Sequence, residues 1–558
     1  MKDIINIDQQ ENMPKQPLTI QGAAISPGYA QGIVHLQRSL LGPIDVPVKG
    51  AQLNVEEEFT RLDQATAQIS NDLIILATRV EKEIDKHLAE VFGVHKQILD
   101  DHLLKEELRR EIVDNLVTAG SAVKSVFLRW EKRFLLMESR IAREKGDDLH
   151  DVSIRLRNAL AGITTHPLEQ IPENCILVTQ RLLPSDTVFL NNRSTAAVLL
   201  EYGAKGSHAA LFARQLGVPC ISEIPNILEK LTNGDMALVD GTLGVLIVNP
   251  NRPMMISFQK TVDENALLLQ KAQKLAGCPA VTLDGMLISV NANVGCHEDT
   301  SKALKNGADG IGLYRIEQFY IGRTLPPTSD ELLDEMRHTL SSMKGNSVCV
   351  RLLDVGADKP LPFVGFMAET NPALGRRGIR LLREYPELLY TQIKAIISLM
   401  SDYEVQILVP MVALPEDILL VKKMLNTFCI EHNISPLPKL GAMIETPAAA
   451  LSASTIAPHV DFMSFGSNDL TQYAFAADRE NASVETYYND DSAVIFRMME
   501  IVHSDVPDMP LSICGELAGS KEHIRRLLQC GITSLSVAAP LVPLIKETIR
   551  KTKVDLPR

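Results

Sequence analysis

Apolar residues in the C-terminal half of the chain come in short unbroken runs rather than in stripes. Eight runs recur, at 287–290, 310–314, 348–353, 405–411, 440–444, 462–465, 511–514 and 535–538, and helix-prone segments separate them. A short apolar run bounded by turn residues suits a strand buried on both faces. Regular alternation of such strands with helices predicts a (β/α)₈ barrel over 278–558. An open doubly wound sheet is the competing arrangement.

The pattern upstream is different. Between about 52 and 160 the chain is rich in Glu, Lys, Leu and Ala, with apolar residues at helical spacing: Phe59, Leu62, Ile69, Leu73 and Leu76, Thr66 being the one polar break. This predicts a bundle of several helices. Short strands and Gly/Pro turns flank it, at 18–50 and again at 165–250, so one α/β domain is interrupted by a helical insert (51–164). Residues 1–17, with Pro14 and Pro17, read as a flexible tail. Pro250 and Pro253 mark the next boundary, and a linker helix is expected within 251–277, its helix-prone part running from 261 to 275.

Composition narrows the function classes. A chain of 558 residues has room for two to four domains, and 45% hydrophobic with 22% charged residues is ordinary for globular proteins. The formal net charge of −13, with no long basic run, argues against nucleic acid as the main partner. No apolar run is long enough to span a bilayer, and the N-terminus lacks a signal-peptide pattern. The eight cysteines form no CxxC pair, which fits reduced thiols and a cytoplasmic location.

Candidate chemistry sits where the barrel strands stop, since barrel active sites lie at the C-terminal strand ends. Those ends carry Arg315, Arg351 with Asp354, Glu445, Asn468 with Asp469, and Cys514 with Glu516, and Arg479 follows closely. Two carboxylates, Glu445 and Asp469, suit a hard cation such as Mg²⁺. Three guanidiniums suit a multiply charged ligand, most naturally a phosphate with a carboxylate, and Asn468 can donate a hydrogen bond to it. A cysteine at a strand end is more often core filling.

Another candidate lies in the first α/β domain, where Gly203-Ala204-Lys205-Gly206-Ser207-His208 precedes an Ala-rich segment closed by Gly217 and Pro219. Ser207 is a plausible N-cap, which puts His208 in the first helical turn, where the positive helix end favours a phosphoryl group. An imidazole there can accept a phosphoryl group and pass it on.

Taken together, these segments resemble Enzyme I of the phosphoenolpyruvate (PEP)-dependent phosphotransferase system, from about residue 20 to 552. The specific matches are Gly310-Ile311-Gly312-Leu313-Tyr314-Arg315, the run from Arg351 to Lys359, Asn371-Pro372-Ala373-Leu374-Gly375, Glu445-Thr446-Pro447-Ala448-Ala449-Ala450, the block from Gly466 to Arg479, and Cys514-Gly515-Glu516-Leu517-Ala518-Gly519. The resemblance implies a multidomain α/β chain: a swivelling phosphohistidine domain with an inserted helical bundle, then a PEP-binding (β/α)₈ barrel that forms a homodimer. It implies that His208 is phosphorylated at Nε2, that Glu445 and Asp469 bind Mg²⁺, and that Arg315, Arg351, Asn468, Asp469 and Arg479 serve PEP. It further implies that Cys514 protonates the enolate carbon and that the insert docks a small HPr-like phosphocarrier protein. Two departures stand out. Lys205 and Gly206 replace the Arg and Thr usual before the histidine, and Arg376 replaces an aromatic residue after Leu374-Gly375. A PEP synthase or dikinase relative, a PEP-sensing regulatory homologue and a carbon–carbon lyase are the competing readings.

Overall fold

The computed structural model describes residues 16–37, 53–83, 86–135, 140–163, 171–183, 195–203, 216–321, 323–356, 361–365, 371–479 and 484–554, with residues 168, 186, 190, 213 and 369. The chain divides into two compact units, 1–263 and 264–558.

The first unit contains an eight-stranded sheet of β1 (Leu18–Gln21), β2 (Ala23–Ser26), β3 (Tyr29–Gln37), β4 (Ile176–Thr179), β5 (Ala197–Leu200), β6 (Cys220–Ser222), β7 (Met236–Asp240) and β8 (Val245–Val248). Its order is β1-β8-β7-β3-β4-β5-β6-β2. The middle strands β3 to β6 run parallel. Successive side chains point to opposite faces of a sheet, so Ile176, Val178, Ala197 and Leu199 enter one apolar cluster while Leu177, Val198 and Leu200 enter another. Cover on both faces explains why β5, and β4 up to Thr179, are apolar rather than alternating. His208 falls between β5 and β6, and it lies outside the described residues together with Lys205, Gly206 and Ser207. The end of that segment is described: Gly217 takes φ +66° and Val218 N–H donates to the Ala213 carbonyl at 3.0 Å, a Schellman-type helix stop.

Between β3 and β4 the helices Val55–Glu83, Lys86–Asp100, His102–Asn115, Ala119–Leu135 and Arg140–Leu160 pack around a common core. The stripe has no true break at Thr66. Ala65 takes the buried place between Leu62 and Ile69, while the Thr66 hydroxyl turns back to the Leu62 carbonyl at 2.8 Å.

Helix Arg252–Lys274 starts earlier than its helix-prone sequence implied. The Asn251 side chain accepts from Met254 N–H at 3.0 Å, and Pro253 falls in the first turn, where a missing N–H costs nothing. Proline there opens the helix rather than separating it from the strand before.

The second unit is a closed barrel of parallel strands: β10 (Leu287–Val294), β11 (Ile311–Arg315), β12 (Ser347–Arg351), β13 (Glu404–Val409), β14 (Lys439–Ile444), β15 (Phe462–Phe465), β16 (Leu511–Ile513) and β17 (Ile532–Ala538). β17 pairs with β10 and closes the ring, which excludes an open doubly wound sheet. A short strand, β9 (Ala280–Val281), adds to β10 in the antiparallel sense. Leu313, Cys349, Leu408, Met443, Phe462 and Cys514 fill the barrel interior as one cluster. Their strand neighbours, among them Val348, Val350, Ile407, Val409, Ala442 and Ile444, pack outward under the helices. Among the described residues no helix is long and apolar enough to cross a membrane.

Candidate active site

Parallel strands in a closed barrel bring every C-terminal end to one rim, and that rim collects the polar residues of this unit. Arg315 and Arg351 are the last residues of β11 and β12. Glu445 directly follows β14, and Thr446 then caps helix Pro447–Leu451 by accepting from Ala449 N–H at 3.1 Å. β15 ends at Phe465, and helix Ser467–Ala474 carries Asn468 and Asp469 in its first turn. Cys514 directly follows β16.

Ion pairs knit this rim together. Arg351 donates through Nη2 to Glu317 Oε1 at 2.8 Å and lies 3.2 Å from Asp354 Oδ2 through Nη1. Arg377 forks Asp354 through Nε at 3.1 Å and Nη2 at 2.8 Å, and its Nη1 reaches Asp469 Oδ1 at 2.9 Å and the Tyr473 hydroxyl at 3.1 Å. Arg479 stands 3.9 Å from the other Asp469 oxygen. Burial works against the charge on Arg351, yet Glu317 and Asp354 outweigh it and hold the guanidinium above its ordinary pKa. Arg377 behaves alike, with Asp354 and Asp469 as the compensating carboxylates. Arg315 is the contrary case. It is exposed at the mouth, but the surrounding walls thin its solvent, and with Arg351 as a like charge its pKa is lowered. Among the described residues Arg315 makes no ion pair, only feeling the charge of Glu317, and such a cation is a group prepared for an anion.

Glu445 is the strained member. It is 1% exposed, its Oε1 accepts only one described hydrogen bond, from Met411 N–H at 2.6 Å, and Met411 takes a left-handed φ of +57°. Burial, then the charges of Asp469 and Asp354, push its carboxyl up to about 8. Gly466 leaves the space beside it open: a Cβ there would meet Glu445 Oε2 at 2.7 Å. Two facing carboxylates of which one resists ionisation are what a hard divalent cation would relieve, so the residues present fit Mg²⁺.

Asn468 Oδ1 accepts from Glu516 N–H at 2.9 Å, which fixes the amide, and Tyr488 donates to the Asn468 carbonyl at 3.2 Å. Cys514 is 3% exposed, and burial raises its pKa, so the thiol keeps its proton. Its main chain is pinned from two sides, by Cys514 N–H on the Phe465 carbonyl at 3.0 Å and by the Asn293 amide on the Cys514 carbonyl at 3.1 Å.

Thus Arg315, Arg351, Glu445, Asn468, Asp469, Arg479 and Cys514 all stand at one end of the barrel, whereas His208 lies outside the described residues. The strand-end rule missed Arg377 and Glu317. Arg377 comes from the long segment after β12, and its only sequence signal is the Gly375-Arg376-Arg377-Gly378 run. That glycine is needed: Gly378 takes φ +56°, and a Cβ there would lie 2.9 Å from the Met411 side chain.

Comparison with known proteins agrees with this geometry. Residues 269–554 match the PEP-binding domain of PEP-utilising enzymes, 171–244 their mobile domain and 21–145 their N-terminal domain. The phosphoenolpyruvate-protein phosphotransferase of Geobacillus stearothermophilus is 33% identical over 547 residues, covering 96% of this chain and 93% of that protein. Those of Priestia megaterium and Bacillus subtilis are 31% identical (96% and 95% covered) and 32% identical (92% and 91% covered). A barrel rim of guanidiniums and carboxylates in a chain matched along nearly its whole length leads to one conclusion: the chain belongs to the phosphoenolpyruvate-protein phosphotransferases, a family of PEP-utilising enzymes.

Proposed function

We propose that PEP binds at the barrel mouth, passes its phosphoryl group to His208, and leaves as pyruvate, and that His208 hands the group to a histidine of a small HPr-like phosphocarrier protein. The observation that carries this reading is the convergence of Arg315, Arg351 and Arg479 with the Glu445–Asp469 pair at one rim. In it, Arg315, Arg351 and Arg479 neutralise the phosphate and carboxylate of PEP, and Asn468 donates its amide N–H₂ to the ligand. Glu445 and Asp469 hold Mg²⁺, which would supply charge for the phosphoryl and enolate oxygens. Among the described residues no three His, Cys, Asp or Glu side chains are assembled as a metal site, so a cation held by Glu445 and Asp469 would need further oxygens from ligand or water. Arg377 keeps Asp354 and Asp469 in place without needing the ligand.

Transfer is then a matter of in-line positioning and charge neutralisation. The P–O bond of PEP breaks as the imidazole of His208 takes the phosphoryl group, and the enolate left behind takes the Cys514 proton at carbon. His208 must reach the barrel mouth, and the chain between β8 and helix Arg252–Lys274, with Pro250 and a left-handed Asn249, is the proposed pivot. The helical bundle is the proposed docking surface for the phosphocarrier, and it exposes Leu103 and Leu116. The barrel is the proposed homodimer interface, and its outer helices leave Tyr390, Ile430 and Leu451 exposed.

The test is incubation with phosphate-labelled PEP and Mg²⁺. The expected product is an acid-labile, base-stable phosphoprotein that His208→Ala abolishes. Wild-type protein that takes up no label overturns the transfer and favours a PEP-sensing role; label that requires ATP favours a dikinase.

A further inference from the structure

Ser464 is the fourth residue before Asn468, at the third position of β15, and is 2% exposed. A serine hydroxyl in a barrel strand otherwise built from Phe462, Met463 and Phe465 needs a partner, because a buried hydroxyl without one is costly. Its partner is the sulfur of Cys514: Ser464 Oγ donates to Sγ at 3.7 Å. The thiol's own hydrogen points elsewhere, to the Phe465 carbonyl at 3.5 Å. The sulfur is therefore both donor and acceptor in a dry setting, and its two partners are neighbours on one strand.

We propose that Ser464 is a positioning residue for proton transfer at Cys514, holding the sulfur at the mouth and stabilising the thiolate that remains when its proton is given to the enolate. This rests on the reading of Cys514 as the acid. In that step the S–H bond breaks and a C–H bond forms at the methylene carbon of enolpyruvate. The electron pair of the S–H bond stays on sulfur, and solvent later returns the proton. A bare thiolate in this cluster of Leu313, Cys349, Leu408, Met443 and Phe462 would have little solvation; Arg351 and Arg315 favour it from the rim and Glu445 opposes it, but none of them bonds the sulfur among the described residues. The Phe465 carbonyl cannot help, since it only accepts and turns repulsive once sulfur is charged. Ser464 Oγ–H can, and it is already aimed at sulfur before the charge appears. Because the Cys514 main chain is pinned by Phe465 and Asn293, loss of the Ser464 hydroxyl acts on the sulfur rather than on the loop.

The experiment uses pyruvate and Mg²⁺ with the full chain in deuterated water, following deuterium entering the pyruvate methyl group by NMR. Neither His208 nor a phosphocarrier is needed. Wild type is expected to catalyse exchange and Cys514→Ala to abolish it. Ser464→Ala should slow exchange about tenfold, the scale of one hydrogen bond to a charged acceptor. Its pH–rate profile should move to higher pH, while the KM for pyruvate stays put; Ser464→Thr, which keeps the hydroxyl, should restore most of the rate. Exchange in Ser464→Ala at the wild-type rate and with the wild-type pH profile, while Cys514→Ala is dead, overturns the role of Ser464 alone. Exchange by Cys514→Ala at the wild-type rate overturns the acid assignment and Ser464 with it. Should Ser464→Ala fold poorly, Ser464→Thr against Ser464→Val, of nearly equal volume, gives the same comparison.

Discussion

Among the described residues, a buried ionic cluster inside the helical bundle and another at the barrel rim are built differently. In the bundle His95, with no exposed surface, bonds Asp148 at 3.1 Å, and Arg155 bonds Asp151 at 3.2 Å. These pairs are made within the helical core, although His95 Nδ1 and Arg155 Nη2 find no hydrogen-bond partner among the described residues. At the rim Arg377 satisfies Asp354 and Asp469, but Arg315 makes no ion pair among the described residues and burial lets Glu445 keep its proton. The His95–Asp148 pair ties two helices of one core together, whereas the rim gathers its perturbed groups at the strand ends. Perturbed groups that gather in a concave mouth are the better functional signal for that reason.

The comparison breaks most visibly at Arg377. Arg377→Ala removes the forked partner of Asp354 and the nearest cation of Asp469, leaving them only Arg351 at 3.2 Å and Arg479 at 3.9 Å, and a loss of about 3 kcal/mol is expected by denaturant unfolding of the barrel. PEP binding should vanish with it. In the bundle, His95→Leu should cost less, about 2 kcal/mol for a stranded Asp148, and should leave PEP affinity unchanged in a calorimeter. Equal loss of PEP affinity in both variants would erase the distinction between the clusters.

A smaller effect follows from pH. Because the Glu445 carboxyl is raised in the folded state, the native protein holds a proton that the unfolded chain releases. That contribution is complete below the ordinary carboxylate range and fades as pH rises toward 8. Without Mg²⁺ the barrel should therefore lose stability on the order of 1–2 kcal/mol over this window, given that Arg351 and Arg377 share the charge. Glu445→Gln should flatten the slope and stabilise the metal-free protein at pH 8; a slope unchanged in Glu445→Gln would assign it to other groups.

Much of this was readable beforehand, for a physical reason. A buried parallel strand must be apolar to its end, so a polar residue just past that end is conspicuous, and Arg315, Arg351, Glu445 and Cys514 stand out in that way. Arg377 and Glu317 do not, because they arrive from loops whose course depends on tertiary packing: on Gly378 against Met411, and on Glu317 folding back to Arg351. Ser464 was hidden by its own strand, since a small hydroxyl in an apolar run reads as filler. The first helical turn that the sequence assigns to His208 lies outside the described residues. Arg376, the departure from the family's aromatic residue, bonds Glu369 at 3.2 Å and Glu384 at 3.0 Å, so an ionic tie holds the segment next to Arg377.

On this reading the rim is a PEP site that a divalent cation completes. Calorimetric titration of PEP into His208→Ala, with and without Mg²⁺ and in buffers of different ionisation enthalpy, tests it directly. Binding is expected to require Mg²⁺ and to release close to one proton at pH 7, the proton Glu445 gives up, with both features lost in Glu445→Gln. Binding of equal strength without Mg²⁺, or with no proton released, would contradict it.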